Sequence, residues 1–520
     1  MVATSKKKLN PIEKAKAQKH PLLFKADLER FASMGWEALE GENDFALKQG
    51  LKWLGFFYRP VHPGKFMLRM RIPNGIVSSS QMRTLADIVQ RYAQGEGLQS
   101  QGNADITTRQ NIQLRCLRLE DIPDIIDRLS QSGLTSVQSG MDNVRNITGS
   151  PVAGIDGDEL IDTRGLVRNI QDMITNNSEG NLALSNLPRK FNIAVAGGRD
   201  NSVHAEINDL AYVPAYKEGI LGFNVLVGGF FSAKRCDAAI PLDAWVEANE
   251  LVPLSKVILK IYSDNGSRGN RQKTRLMYLI EEWGLEKFRT EIEKQLGHSL
   301  TKAAEKDEID WEKRDHIGVY QQKQPGLNYV GLQIPVGRIY AEEMFELARM
   351  AEVYGSGEIR LTVEQNLLIP NISDSRLELF LSESLIQERF QTDPEPLQRA
   401  LVSCTGAEFC NFAIIETKNR ALAMIEELEA ELEMPKPIRI HWTGCPNSCG
   451  QPQVADIGLM GTKARKDGKM VEAVNIYMGG TVGKEAKLGT EVMNSIPCED
   501  LKPLLQKLLV ENFDAVLKHK

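Results

Sequence analysis

Four of the seven cysteines crowd into a 46-residue stretch: Cys404 and Cys410 in "SCTGAEFCNF", Cys445 and Cys449 in "TGCPNSCGQ". Two thiolate pairs across a long gap are donors for zinc or for an iron–sulfur cluster. Structural zinc sites favour short spacers on tight knuckles, and the first spacing, C-x5-C, is wide for that. A cubane cluster keeps its thiolates well apart, since each binds a different iron. Spacing alone leaves cluster, zinc and unligated core cysteines all open. Cys445 and Cys449 stand at i and i+4, so a helix there would present both on one face, with Pro446 tolerated in its first turn. Cys116, Cys236 and Cys498 are scattered and read as small buried hydrophobes.

The elements that must position such residues repeat along the chain. "MLRMRIPNG" (67–75), a helical pattern "SSQMRTLADIVQRYA" and "DITTRQNIQLR" (105–115) are answered by "VGLQIPVGR" (330–338), "AEEMFELARMAEVYG" and "EIRLTVEQNLLIP" (358–370). Each set reads as strand, turn, amphipathic helix and strand, with an Ile-Pro-x-Gly turn and a Gln-Asn pair in matching places. Pro73 to Gln110 spans 37 residues and Pro335 to Gln365 spans 30, the difference falling in the loop "AQGEGLQSQGNAD" (93–105). Added loop length costs little entropy. A second unit recurs too: "HAEINDLAYVPA" (204–215) before "GFNVLVGG" (222–229), and "VADIGLMG" (454–461) before "AVNIYMGG" (473–480). Matching Glu206 with Asp456 places Gly228 and Gly479 22 and 23 residues further on. The order is A–B–A′–B′, a duplicated α+β protein with a pseudo-twofold axis. The acidic stretch "NRALAMIEELEAELEMP" (419–435) reads as an ordinary amphipathic helix ended by Pro435.

Composition narrows the function classes. At 520 residues the chain fits about three domains, and 42% hydrophobic with 25% charged residues is ordinary for soluble globular protein. No apolar run is long enough to predict a membrane span. The basic start, "MVATSKKKLNPIEKAKAQKH", lacks the apolar core of a secretory signal, so a cytoplasmic protein is expected, or a plastid one whose targeting segment has been removed. A net charge of −6 argues against bulk nucleic-acid binding. Seven cysteines in this length are no disulfide framework. No G-x-G-x-x-G follows a strand, and "GSGEIR" (355–360) lacks the third glycine. Electrons for any redox chemistry must therefore come from outside.

The stretch "TGCPNSCGQPQVADIGL" (443–459) resembles the signature of the sirohaem-containing nitrite and sulfite reductases. Thr443, Gly444, Cys445, Cys449, Asp456, Ile457, Gly458 and Leu459 fill that signature without a gap. The upstream cysteine pair, "TTRQNIQLR" and the duplication match as well, over roughly residues 50 to 490. The resemblance implies the duplicated sirohaem reductase fold of three domains. Its parts would be an N-terminal extension (1–55), a ferredoxin-like half-domain (56–135), a sirohaem- and substrate-binding domain (136–317), a second half-domain pairing with the first (318–392) and a cluster- and sirohaem-binding domain (393–520). It further implies that Cys404, Cys410, Cys445 and Cys449 ligate a 4Fe-4S cluster, and that Cys449 also bridges to the sirohaem iron.

Sirohaem carries many carboxylates, and its pocket needs cationic and amide donors. "TTRQNIQLR" alternates as a strand does, which would line up Arg109, Asn111, Gln113 and Arg115 as a cofactor platform. Arg71 and Arg189 read as contacts to sirohaem carboxylates or as surface charges. By the same resemblance Arg69, Arg145, Lys190 and Asn192 are the substrate-side residues: arginine forks hydrogen bonds onto an oxyanion, and a desolvated lysine suits proton delivery. His204 and His441 read as satisfied structural histidines. Sulfite reductases generally carry Lys-Phe-Lys where this chain has Lys190-Phe191-Asn192, and the Asn form resembles the assimilatory nitrite reductases of cyanobacterial and plant type. The expected reaction is six-electron reduction of nitrite to ammonium, with sulfite to sulfide as the alternative. The family's single-chain members draw electrons from reduced ferredoxin, an acidic partner. Lys418, Arg420, Lys436, Arg439, Lys463, Arg465 and Lys466 are candidates for its docking surface on a monomeric enzyme.

Overall fold

The computed structural model describes residues 9–39, 48–93, 102–305, 309–483 and 485–518. Most of the loop invoked for the length difference between the A units, residues 94–101, lies outside the described residues. Two five-stranded sheets carry the A and A′ units. The first runs Phe56–Tyr58, Lys65–Arg69, Ile112–Arg118, Asn103–Ile106 and Arg338–Tyr340. The second runs Gly318–Gln321, Leu327–Leu332, Leu367–Ser373, Glu358–Leu361 and Ile76–Ser78. Each unit therefore gives its short third strand to the edge of the other's sheet. The helices that follow these strands, Ser79–Tyr92 and Ala341–Tyr354, pack together over one shared hydrophobic core. Ser78 starts the first of them with a capping box to Gln81.

The matched turns explain why both copies keep Gln-Asn. Gln110 and Gln365 sit at φ 50 and φ 67, a left-handed backbone that costs a non-glycine residue on the order of 1 kcal/mol. Their amides offset it. Gln110 Nε2 donates to Gly149 O at 2.8 Å while its Oε1 accepts from Gly149 N at 3.0 Å. Gln365 Nε2 donates to Ile106 O at 3.0 Å, and its Oε1 accepts from Ser403 N at 2.8 Å. Each turn thus ties an A sheet to the next B unit.

The B units are equally alike. One sheet runs Ile240–Val246, Ile220–Val227, Leu210–Lys217, Ile193–Val195 and Thr148–Gly149. The other runs Thr490–Pro497, Lys469–Met478, Ile457–Lys466, Ile440–Thr443 and Leu401–Ser403. In both, the last three strands are parallel and the rest antiparallel. The acid matching Asp456 is Asp209 rather than Glu206: Gly228 N donates to Asp209 O, as Gly479 N does to Asp456 O. The match slips by three residues because the hairpin after Asp456 is four residues longer, its strands having 10 residues each against 8. The acidic helix ends at Glu431, before Pro435, because Leu432–Glu433 leaves to pair with Val516–Leu517.

Candidate cofactor and anion site

The thiol loops leave the C-terminal ends of neighbouring parallel strands, where Ser403 pairs with Trp442 just ahead of Cys404 and Cys445. Gly444 N donates to Cys404 Sγ at 3.1 Å, and Asn447 Nδ2 to Cys445 Sγ at 3.5 Å. At Gly450 a Cβ would lie 2.1 Å from Trp442 O, so the loop closes back on its strand only with glycine. Tied at both ends, the segment forms turns and not the expected helix, with Ser448 at φ 54. That turn sends Cys449 a separate way. Cys445 is buried, Cys404 and Cys410 are half-buried, and Cys449 is exposed. Burial pushes the Cys445 thiol up to about 12, with Cys449, Cys404 and Cys410 all close enough to add to it. The four thiols therefore share one volume. Among the described residues no three metal-ligating side chains converge as tightly as a single ion demands. Four thiols at the C-terminal ends of neighbouring strands are the donors a polynuclear cluster takes.

Cys449 faces a wall of cations. Its charge acts on Arg59, Arg69, Arg109 and Lys190, and behind these stand Arg145 and Arg189. Burial first, then repulsion from its neighbours, pushes each of Arg145, Lys190 and Arg69 down. No described carboxylate makes an ion pair with any of the six. Arg59 Nε and Arg145 Nε are buried without a hydrogen-bond partner. Guanidinium groups stay charged in proteins, so this desolvated positive charge calls for an anionic partner. A polycarboxylate macrocycle and a small oxyanion both fit it.

The acids nearby are already committed, and they position the wall. Asp142 takes Lys16 at 3.0 Å and Arg271 at 2.6 Å, three residues before Arg145. Asp209 takes Arg275 at 2.5 Å and accepts from Asn192 N at 2.8 Å. Arg145 is pinned through Ser139 O at 2.9 Å and Met141 O at 3.1 Å. Asn192 Oδ1 accepts from Arg109 Nε at 3.1 Å, joining two predicted site residues directly. Asn146 staples the A and B units, donating to Ile72 O at 2.7 Å and Arg109 O at 2.8 Å. Arg59, Arg271, Arg275 and the two acids were not singled out from sequence. Only Asp209 carried a signal, as the repeat partner of Asp456.

Several expectations need correction. The platform is not one strand, since Arg109 and Asn111 occupy the hairpin turn before Ile112–Arg118. Asn111 is 2% exposed and spends its amide on Met70 O at 2.8 Å, so it shapes the turn and reaches no cofactor. Gln113 does lie in the sheet, between Arg69 and Asp105 in register. Arg115 is clamped to Asp105 and reaches Thr405 Oγ1 at 2.6 Å, beside the first thiol loop. Arg71 is neither a surface charge nor a cofactor contact: 1% exposed, it bonds Gln171 Oε1, Gln138 O, Val144 O and Arg145 O at 2.8–3.2 Å. Of the proposed docking cations, Lys418 is buried against Val336 O and Asp105. Arg420, Arg439 and Lys466 are paired with Glu472, Asp456 and Asp500. Lys436, Lys463 and Arg465 remain exposed.

Comparison with known proteins agrees with this geometry. Residues 140–300 and 396–513 match the nitrite and sulphite reductase 4Fe-4S domain, and residues 59–132 and 320–384 match the nitrite/sulfite reductase ferredoxin-like half domain. A ferredoxin–nitrite reductase of Leptolyngbya laminosa is 66% identical over 98% of both chains. The chloroplastic ferredoxin–nitrite reductase of Spinacia oleracea is 49% identical over 98% of this chain and 87% of its own. The solved NirA protein of Mycobacterium tuberculosis superposes with a TM-score of 0.88 at 29% identity, over 97% of this chain and 94% of that one.

Proposed function

This chain belongs to the nitrite and sulphite reductase family, and from that membership we propose that it is a ferredoxin-dependent nitrite reductase, reducing nitrite to ammonium. It carries a 4Fe-4S cluster and sirohaem. Cys404, Cys410, Cys445 and Cys449 would hold the cluster, Arg59, Arg109 and Arg189 would face the sirohaem carboxylates, and Arg69 would stand on the substrate side. Together the two groups supply electrons one at a time beside the substrate. The observation that carries the reading is Cys449, exposed and acting electrostatically on Arg59, Arg69, Arg109 and Lys190, while Cys445 is buried and Cys404 and Cys410 are half-buried.

The chain's own residues then divide the work. Arg145, with two N–H groups fixed on Ser139 O and Met141 O and its buried Nε unpartnered, would act on an oxyanion through its charge. Lys190 loses its proton readily because burial, Arg275 and Arg109 all disfavour the ammonium; an arriving anion restores it. That makes Lys190 Nζ a proton carrier for oxygens leaving as water. Asn192 uses Oδ1 on Arg109 and keeps Nδ2 for substrate. A lysine in its place would set an ammonium against that guanidinium, tolerable for a dianion such as sulfite and costly for nitrite. We therefore favour nitrite over sulfite. Removing Lys190 as K190A should retain both cofactor spectra and cut turnover; unchanged turnover would remove it from the mechanism.

Reduced ferredoxin would dock on the cluster side of the B′ sheet. Phe412, two residues after Cys410, is 60% exposed. The register of Thr443 with Met460 places Lys463 and Arg465 beyond that end of the sheet, and Lys436 at the opposite end. No helix among the described residues is long and apolar enough to cross a membrane. We place the enzyme in the cytoplasm, or in the stroma as for its chloroplastic relatives.

A further inference from the structure

One polar node draws a residue from each of the four units and ends at the Cys449 loop. His204 comes from B, Glu364 from A′, Gln451 from B′ and Thr108 from A. His204 Nδ1 meets Gln451 Oε1 at 2.9 Å. Gln451 Nε2 donates to Thr108 O at 3.4 Å, and Thr108 Oγ1 donates to Cys449 O at 3.1 Å. His204 Nε2 stands 3.7 Å from Glu364 Oε1, and Glu364 pairs with Lys313 at 2.8 Å. Lys313 lines an open cavity of about 350 Å³ with Arg199, Asp200 and Asp310, which gives the node access to solvent protons.

The geometry fixes where a proton can go. Because Gln451 Nε2 must donate to Thr108 O, its Oε1 faces His204, and His204 Nδ1 must carry hydrogen. In the neutral imidazole the lone pair then sits on Nε2, buried without a hydrogen-bond partner and opposed to a carboxylate. Adding a proton at Nε2 converts that opposition into an ion pair. Both His204 and Gln451 adopt left-handed backbone, at φ 50 and φ 59, on equivalent turns of the two B units. The pseudo-symmetry also sets Glu364 where the other copy has Arg109, so the same turn meets Cys449 with a cation and His204 with an anion.

We propose that His204 is a redox-linked protonation site, taking a proton at Nε2 when the group held by Cys449 gains an electron. The electron comes from ferredoxin and the proton from solvent at the Lys313 cavity, while Glu364, which Lys313 holds ionised, is the counter-charge the new N–H meets; an N–H bond forms and no protein bond breaks. This rests on the cofactor assignment above. Burial holds His204 below its ordinary value, with Glu364 opposing and Lys313 reinforcing, so it is neutral before reduction. His441 bonds Gln451 O at 3.1 Å and is itself pushed down to about 3 by burial and Arg439, so it stays neutral. The remaining group facing the node is Glu206, whose carboxyl burial pushes up and whose Oε2 has no partner. Glu206 is the rival acceptor.

Spectroelectrochemical titration of the holoenzyme against pH decides between them. The absorption spectrum first establishes that both cofactors are loaded, so failure of the cofactor assignment is seen separately. In the native enzyme the reduction equilibrium should change tenfold per pH unit, about 59 mV, over a window opening below the ordinary imidazole value. In H204Q, which keeps an amide donor for Gln451, that dependence should vanish. In E364Q the window should move to lower pH, and this variant decides if H204Q fails to load cofactor. A pH-independent native potential, a native slope retained in H204Q, or an unmoved window in E364Q each overturns the proposal.

Discussion

At the scale of single residues, the account turns on how side chains share one buried charge. Lys190 and Arg145 carry no described counter-ion, the basis on which we propose that they meet an incoming oxyanion. K190A should lower kcat by about 10²- to 10⁴-fold, the usual contribution of a positioned acid–base group, with the absorption of both cofactors unchanged. Asn192 is the position we propose as discriminating. N192K breaks the 3.1 Å contact with Arg109 and adds a second ammonium. Its ratio of kcat/KM for sulfite over nitrite should rise by about tenfold, or roughly 1.4 kcal/mol; a ratio unmoved by the substitution separates specificity from this residue. The cysteine motif made these residues readable through the family it resembles, since their roles were carried over from that resemblance. Arg59, Arg271 and Arg275 were not readable, because an arginine becomes part of a site only through what the fold sets beside it.

At the scale of elements, positioning is done by buried polar staples. Arg71 holds the 138–145 segment by three hydrogen bonds and reaches Gln171 Oε1 with a fourth, all from one guanidinium. R71A leaves those acceptors unsatisfied and should destabilise by about 3 kcal/mol, read as a lower denaturation midpoint together with a raised KM for nitrite. The paired turns at Gln110 and Gln365 were legible because the Gln-Asn pair repeats in sequence. The platform in "TTRQNIQLR" was misread because alternation alone does not locate where a strand begins, and Gln110 at φ 50 turns the chain first. The turns of the thiol loop were not legible for a similar reason. Its i, i+4 spacing said nothing of the ties at Gly444 and Gly450. The swapped edge strands, Ile76–Ser78 and Arg338–Tyr340, left no local signal at all, since pairing partners far apart in sequence are chosen by the assembled core.

At the scale of the whole molecule, duplication built two similar halves and charge made them unlike. Asp105 ties the halves together, engaging Arg115 at 2.5 Å, Arg338 at 3.4 Å and Lys418 at 3.5 Å. Burial raises its carboxyl, yet Lys418, Arg115 and Arg338 hold it well below the usual range. A carboxyl depressed in the folded state stabilises fully above its unfolded value, about 3.9, and loses that contribution as pH falls through the folded one. Thermal denaturation of the holoenzyme should therefore show Tm falling below about pH 5, with a shallower fall in D105N. Docking of an acidic ferredoxin on Lys463 and Arg465 should weaken with salt, so raising ionic strength from about 0.01 to 0.15 M, where screening length shortens from roughly 30 to 8 Å, should raise KM for ferredoxin and leave kcat near constant. The central claim is tested most directly by turnover of nitrite and sulfite side by side, with reduced ferredoxin as the sole electron source and ammonium and sulfide measured as products. Stoichiometric ammonium with kcat/KM for nitrite at least about tenfold above that for sulfite is the result this account predicts; the reverse order, or no ammonium, would contradict it.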